Sequence, residues 1–440
     1  MNTRSLFAPG PGRLLLIAAS TAMFALGAAS ALYGPFFPYF AESLDLTPSK
    51  LGLLPGLHFA GATVGVLFGG MAARRIGYRR VLPAGSVILA LGYGAVAVAW
   101  TWPLLQAGAA FLGLGFGLLV NVNILVDEAF GEMGAAALQL VNALFSVGAI
   151  AAPLLAIFSL QFGGQAVAFG TGAALAVILL GMLIYGGTSA DDLRAARRAE
   201  QVELTYDVAA PSYSADGADD VEEAEAPPSR GNHDRHARSS ATTETTAATA
   251  RHRRALIVPT ALFLPLYLLF PGTEASFANW MPTHLFSLLP AAIASTVVSG
   301  YWLTFTAGRL LSVPISMRIR PGILVGGSIL LALAATIAAT VDPLAPVAYL
   351  VAGLAMGPVF PGGLSWLRRR YPERAGEVAS VIIAAGGIGG MIIPPLIGYI
   401  VEARGIPAIA VTLAVLLSGA VLLAGIIGLA GRSAEASVKN

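Results

Sequence analysis

Six strongly apolar stretches fill residues 14 to 186, a polar tract covers 188 to 254, and six more apolar stretches run from Ala255 to about Ala430. A hydrocarbon core takes on the order of 20 consecutive apolar residues to cross as a helix. The twelve stretches, nearly free of embedded charge, therefore read as twelve spans. They lie near 14 to 40, 49 to 73, 80 to 100, 104 to 126, 135 to 158, 164 to 186, 255 to 288, 293 to 317, 321 to 340, 344 to 366, 374 to 400 and 406 to 430. The predicted class is an all-α membrane protein. Its expected domains are a six-helix bundle over 1–187, a cytoplasmic linker over 188–254 and a second six-helix bundle over 255–440.

Charged residues make up only 11% of the chain, about half the share of an ordinary soluble domain, and they gather in the linker and short loops. A net charge of +2 does not point to nucleic acid. The position of the basic residues is more informative. If the N-terminus is cytoplasmic, the inner segments hold Arg4, Arg13, Arg74, Arg75, Arg79, Arg80, the nine arginines of the linker, Arg318, Arg320, Arg368, Arg369, Arg370, Arg374, Arg432 and Lys439, and only Lys50 and Arg404 fall outside. Basic and non-basic loops alternate in step with the spans, which puts both termini and the linker in the cytoplasm of a multi-pass cell-membrane protein. Arg4 and Arg13 before an apolar run resemble a secretory signal, but with eleven further spans the first helix is expected to stay uncleaved. There is no cysteine, so disulfides and thiolate metal sites are excluded. The linker, rich in Asp, Glu, Ser, Thr, Ala and Arg, is too polar to bury a core and is expected to be disordered.

The two halves repeat each other at an interval of about 240 residues. The stretch from Leu82 to Leu91 recurs from Leu324 to Leu333, and Gly113-Leu114-Gly115-Phe116-Gly117 recurs as Gly353-Leu354-Ala355-Met356-Gly357. Gly148 precedes Pro153 as Gly389 precedes Pro394. Three matches in order indicate a duplicated six-helix unit in parallel orientation, with a cleft between the two copies.

The loop after the second span carries Gly70, Arg75, Gly77, Arg79 and Arg80. That pattern resembles the signature loop of the major facilitator superfamily, departing from it in having Arg74 at the usual aspartate position. Gly272-Thr273-Glu274-Ala275-Ser276-Phe277-Ala278-Asn279-Trp280, Gly300-Tyr301-Trp302 and Gly308-Arg309-Leu310 resemble the seventh and eighth spans of its fucose-galactose-glucose proton symporter branch. Asn123 through Val126 and Gly134 through Leu140 resemble that branch's fourth and fifth spans. The resemblance implies a transporter, not an enzyme. Proton-coupled sugar members carry acids in the first and fourth spans; here the first span has Tyr33-Gly34-Pro35, and no acid precedes Asp127 in the fourth.

Glu274 is the one carboxylate well inside a span, and an intramembrane acid is a functional candidate by default. Pro271 and Gly272 just before it are expected to interrupt the helix, as in carrier helices that line cavities. Glu274 could carry a proton, accept substrate hydroxyls, pair statically with Arg309 or reach the outer vestibule. Arg309, the one base deep in a span, could pair with Glu274, bind substrate or snorkel to the cytoplasmic face about 12 Å away.

Asn121, Asn123, Gln139 and Asn142 offer amides to polyols, or serve as glue between helices. Asn279 lies one turn beyond Glu274, and Trp280, Trp302, Tyr301 and Phe277 offer aromatic faces, though Trp302 also fits an interfacial belt. His58 reads as a titratable group or a packing residue. Gly61, Gly65 and Gly69, and Gly386, Gly387, Gly389 and Gly390, fit close helix packing. At the cytoplasmic rim Asp127, Glu128 and Glu132 face Arg74, Arg75, Arg79 and Arg80, and Glu373 and Glu377 face Arg318 and Arg320, two sets suited to an inner gate.

The expected function is secondary active transport of a small polar solute, sugar-like first, by alternating access. Protons are the candidate coupling ion and a drug or metabolite exporter is the alternative. A monomer in the bilayer with no cofactor, no metal and no nucleic-acid partner is expected. No nucleophile and base set or metal-ligand cluster appears inside the spans.

Overall fold

The computed structural model describes residues 11–185 and 234–437; side chains are described for these except Pro11, Glu132, Ala135, residues 234–255 and residues 431–437. The first half is α1 (Pro11–Leu44), α2 (Pro48–Ile76), α3 (Tyr78–Ala97), α4 (Trp102–Leu119), α5 (Val122–Phe130), α6 (Gly134–Phe162) and α7 (Gln165–Tyr185). The second is α8 (Asp234–Leu288), α9 (Ala291–Ser316), α10 (Pro321–Ala338), α11 (Ala345–Met356), α12 (Val359–Arg370), α13 (Ala375–Arg404) and α14 (Ala408–Ser437). Pairing α4 with α5 and α11 with α12 gives twelve crossings at the expected places. Eleven of them combine the length and hydropathy needed to cross a bilayer. The remaining one, α9, is long enough, but Ser295, Thr296, Ser299, Thr304, Thr306 and Arg309 lower its hydropathy, while Leu303, Leu310, Leu311 and Val313 give it an exposed apolar face.

The apolar runs become helices because lipid offers no partner to a free backbone group. Their ends follow local chemistry. Gly77 stops α2 with φ 82° and Gly405 stops α13 with φ 82°, a left-handed backbone that glycine adopts without strain. Pro48 opens α2 in its first turn after Thr47, whose hydroxyl lies 2.9 Å from Ser49 Oγ rather than capping the helix.

Two expectations need correction. The seventh span is continuous through Pro259, Pro265, Pro271 and Pro282, so Pro271 and Gly272 do not interrupt it. Gly272 instead lets α8 lie against Gly389 of α13, and the helix runs on across the proline. The breaks fall elsewhere, at Val120–Asn121 in the fourth crossing and at Gly357–Pro358 in the tenth, equivalent places in the two halves. The backbone of 234–254 belongs to α8, so helix begins inside the tract read as linker, whose residues 188–233 lie outside the described ones.

The duplication is also a duplication of contacts. Gly113 sits on the His58 carbonyl as Gly353 sits on that of Tyr301. Gly117 meets the Ala62 carbonyl as Gly357 meets that of Phe305, and Gly148 meets that of Phe24 as Gly389 meets that of Leu268. A methyl group at any of these glycines would collide with backbone. The recurring glycines are therefore the points where α4 seats on α2, α11 on α9, α6 on α1 and α13 on α8.

The bundles meet through α1 with α8, α2 with α13 and α6 with α9. Along α2 the contact runs from Pro48 against Gly398, through Gly52 against Pro394 and Pro395 and Phe59 against Gly390, to Thr63 against Gly387. Gly61 and Gly65 point instead at α4, so they pack within the bundle. We call the side bearing the N-terminus and the polar tract the linker face. The interbundle seam occupies the opposite face and reaches mid-depth, while α5 and α12, the linker-face halves of the broken crossings, pack against helices of their own bundles. The cleft thus opens on the linker face.

Candidate functional site

The cleft's second-bundle wall is built by α8 and α9. Glu274 is half-buried, about 21 Å along α8 from Leu288, whereas Arg309 is exposed about 27 Å along α9 from Ala291. Among the described residues no ion pair joins them; the Arg309 guanidinium lies over the Phe305 ring, 4.8 Å from its centre. Glu274 stands within electrostatic reach of both Arg309 and Tyr301. A carboxylate at mid-depth with no bonded partner is free to take a proton or a hydroxyl.

Aromatic rings back this acid. Phe277 and Tyr301 stack with centroids 6.0 Å apart and planes 3° from parallel, and Tyr301 donates to Met356 Sδ at 3.7 Å. Trp302 packs on Tyr301 at 5.6 Å and on Phe305 at 5.7 Å, and its indole Nε1 is buried without a partner. At about 16 Å from the start of α9, Trp302 lies too deep for an interfacial belt.

On the first bundle, Asn142 Nδ2 donates to Asn123 Oδ1 at 3.1 Å and to the Leu138 carbonyl at 2.8 Å. Gln139, one turn away on α6, is exposed. Asn123 and Asn142 thus come together in the linker-face third of the first bundle, with Gln139 on the same helix as Asn142. Asn121 does not join them; its Nδ2 binds the carbonyls of Gly117 and Leu118 at 3.0 and 3.1 Å, closing the break in the fourth crossing beside Gly69.

Asn279 and Trp280 are placed apart from the cleft. Both are buried where the bundles meet. Asn279 Nδ2 turns back to the Ala275 carbonyl at 2.7 Å, leaving Oδ1 unpartnered, while the carbonyls of Ala278 and Asn279 lie against Gly34 of α1. Trp280 packs edge-to-face on Phe37 of α1 at 5.1 Å and donates its Nε1–H to the Pro394 carbonyl at 2.9 Å. Trp280 is thus a plug of the closed face. At that surface the Ser49 N–H, a free donor in the first turn of α2, is taken by Glu402 Oε2 of α13 at 3.0 Å. Glu402 went unnoticed in the sequence because an acid at a helix end looks like any solvated charge.

The rim residues Arg74, Arg75, Arg79, Arg80, Asp127, Glu128, Arg318, Arg320, Glu373 and Glu377 are all exposed at the linker face.

Comparisons with known proteins agree with this architecture. The sequence pattern of the Major Facilitator Superfamily matches residues 19–290 and 263–438. The chain is 25% identical over 389 residues to the sodium-dependent glucose transporter 1A of Mus musculus, covering 86% of this chain and 88% of that one. It is 22% identical over 395 residues to the glucose/mannose transporter GlcP of Bacillus subtilis, covering 88% of each. Among solved structures, a D-xylose-proton symporter superposes with a TM-score of 0.67 at 14% identity over 94% of this chain and 96% of that one. A peptide transporter, POT, solved with sulfate, does so with a TM-score of 0.67 at 14% identity over 97% and 99%. At such identities the structures speak for the fold alone. The chain belongs to the Major Facilitator Superfamily and is a secondary transporter, not an enzyme.

Proposed function

We propose that this transporter carries a neutral, sugar-like solute across the cell membrane, driven by an ion gradient that acts through Glu274. The observation that carries the reading is that carboxylate: half-buried at mid-depth, without a bonded partner, backed by the Phe277–Tyr301 stack and facing a cleft whose other wall offers Asn123, Gln139 and Asn142. Amides and a carboxylate suit the hydroxyls of a sugar without the desolvation cost of a charged ligand. The similarity to glucose transporters over most of the chain supports the same class. Arg309, Trp302 and Asn279 are proposed as further contacts in states that bring them to the solute.

In this reading the linker face is cytoplasmic, as the arginine distribution argues, the chain works as a monomer, and the arrangement described is the inward-open one. Uptake of radiolabelled D-glucose, D-mannose and D-xylose into proteoliposomes, under an imposed proton gradient and separately under a sodium gradient, tests the reading and separates the two ions. Uptake of none of the three sugars under either gradient would retire it. The absence of a first-span acid favours export as the second reading; vesicles preloaded with solute and assayed for efflux test that direction. Reporter fusions at residues 220 and 440 should both report the cytoplasm.

A further inference from the structure

The hydrogen bond from the Ser49 N–H to Glu402 Oε2, at 3.0 Å, joins residues 353 positions apart on helices of different bundles. It sits at the outer end of the α2–α13 seam, where Pro48 lies against Gly398. Ser49 is in the first turn of α2, whose free N–H groups and dipole favour a negative charge. Glu402 is in the last turn of α13, which ends at Arg404, and the carbonyl end of a helix disfavours one. The carboxylate is thus a poor fit to its own helix and a good fit to a helix of the other bundle. The Thr47 hydroxyl and the Lys50 ammonium, at the same end of α2, also favour its ionised form.

The duplicated frame does not require an acid at this place. The interval that carries Gly389 of α13 onto Gly148 of α6 carries Glu402 onto Gln161. Since α6 meets α9 as α13 meets α2, the equivalent seam has an uncharged amide at that position. The charge of Glu402 also belongs to one arrangement only. Ser49 and Glu402 move with different bundles when the closed face parts, so the carboxylate then keeps the α13 carbonyls and loses the α2 donors. Its ionised form is therefore stabilised in the closed arrangement relative to the open one, and by linkage a bound proton favours the open one.

We propose that Glu402 is a proton-sensitive latch of the closed face: ionised, it holds α2 against α13, and protonated, it releases the seam toward the arrangement that opens there. The latch is fully engaged at pH above the carboxylate range and is lost as the pH falls through that range. It rests on alternating access alone and needs no knowledge of the solute. α13 packs against α2, α8, α12 and α14. At this end α2 brings Lys50, and α8 brings His284, which is buried with Nδ1 2.7 Å from the Tyr349 hydroxyl. α13 itself adds Tyr399 and Arg404, Asp45 stands in the turn before α2, the first turns of α14 bring no titratable group, and α12 lies at the linker face. The test is therefore a comparison of Glu402 with its amide at one pH, in which any titration of these other groups cancels.

The full-length chain in lipid nanodiscs serves for this, since it has no native cysteine. Phe37 of α1 is fully buried and packs on Trp280 of the other bundle at 5.1 Å, so a thiol in its place reports parting of the bundles at the closed face. The rate at which Phe37→Cys reacts with a water-soluble methanethiosulfonate is measured with Glu402 and with Glu402→Gln, from about pH 7.5 to about pH 4. The ratio of the two rates at each pH removes the chemistry of the thiol itself. Glu402→Gln should react about twofold to fivefold faster at the upper pH, the range that an exposed charged contact supports. The ratio should fall toward one at the lower pH, where the wild-type carboxyl is also neutral. Thr101→Cys, exposed at the same face, should react alike in both backgrounds. Trp280→Cys, on the other side of the seam, carries the test if Phe37→Cys does not fold. A ratio of one throughout overturns the latch. So does a raised ratio that stays the same at every pH, which would mean that Glu402 holds the seam without sensing protons.

Discussion

At the residue scale, the proposed role of Glu274 is open to a direct test. The Arg309 guanidinium rests on Phe305 and, among the described residues, makes no ion pair with Glu274. Glu274→Gln should therefore fold with a Tm within a few degrees of wild type, yet lose accumulation of solute against a gradient, since an amide keeps the shape but cannot ionise. Vesicle uptake with and without an imposed gradient reads this directly. A static ion pair would behave otherwise: the single change would destabilise the protein, and Glu274→Gln combined with Arg309→Met would restore both stability and transport. Gly389 shows the opposite kind of dependence, on space rather than charge. A Cβ there would meet the Leu268 carbonyl, so Gly389→Ala should cost about 1 to 3 kcal/mol of stability as overpacking between helices, seen as a lowered Tm in detergent.

At the scale of elements, α2 and α13 form the seam that must part and re-form. Each helix uses two faces. Gly386 and Gly389 look into the second bundle while Gly387 and Gly390 look across the seam, and on α2 Gly52 and Gly56 face α13 where Gly61 and Gly65 face α4. Spacing by four on one helix thus encodes both a permanent contact and a transient one, and periodicity alone does not tell them apart. The Glu402 carboxylate on the Ser49 N–H closes the seam at its outer end, capping the helix of one bundle with an acid from the other. The chain has no native cysteine, so Ser49→Cys with Glu402→Cys is a clean crosslinking pair. Oxidation should join the two and stop transport, and reduction should restore it; full transport in the crosslinked protein would show that this end of the seam never opens.

At the scale of the molecule, alternating access needs two rigid bodies and a tether that does not hinder them. Backbone-to-glycine seats hold each body together, while the seam is closed by glycine contacts of α1 with α8 and of α2 with α13, the Phe37–Trp280 ring contact and the Ser49–Glu402 hydrogen bond. The stretch 188 to 233 is proposed as the tether. Shortening it by ~30 residues should leave uptake unchanged as long as the remainder spans the bundle ends. A stably folded deletion without uptake would assign the tract a regulatory or docking role instead.

Twelve crossings and two repeated halves were legible in the linear chain, because lipid imposes one solution on an apolar run and duplication leaves the same glycines at one interval. Glu274, Arg309 and the Asn123–Asn142 pair were legible for a related reason: polar groups stand out against an apolar span. Tertiary structure alone decided what those residues face. Pro271 and Gly272 promised a break, but α8 runs on across them with α13 packed against Gly272, and the breaks fall at Val120–Asn121 and Gly357–Pro358. Trp280 read in the sequence as an aromatic face for a solute, and the structure buries it against Phe37 with its indole on the Pro394 carbonyl of another helix. Sequence determines which helices exist and how polar they are, since those follow from each segment's own contact with lipid. Which side chains meet depends on rotation and depth between helices, set by packing partners more than a hundred residues away.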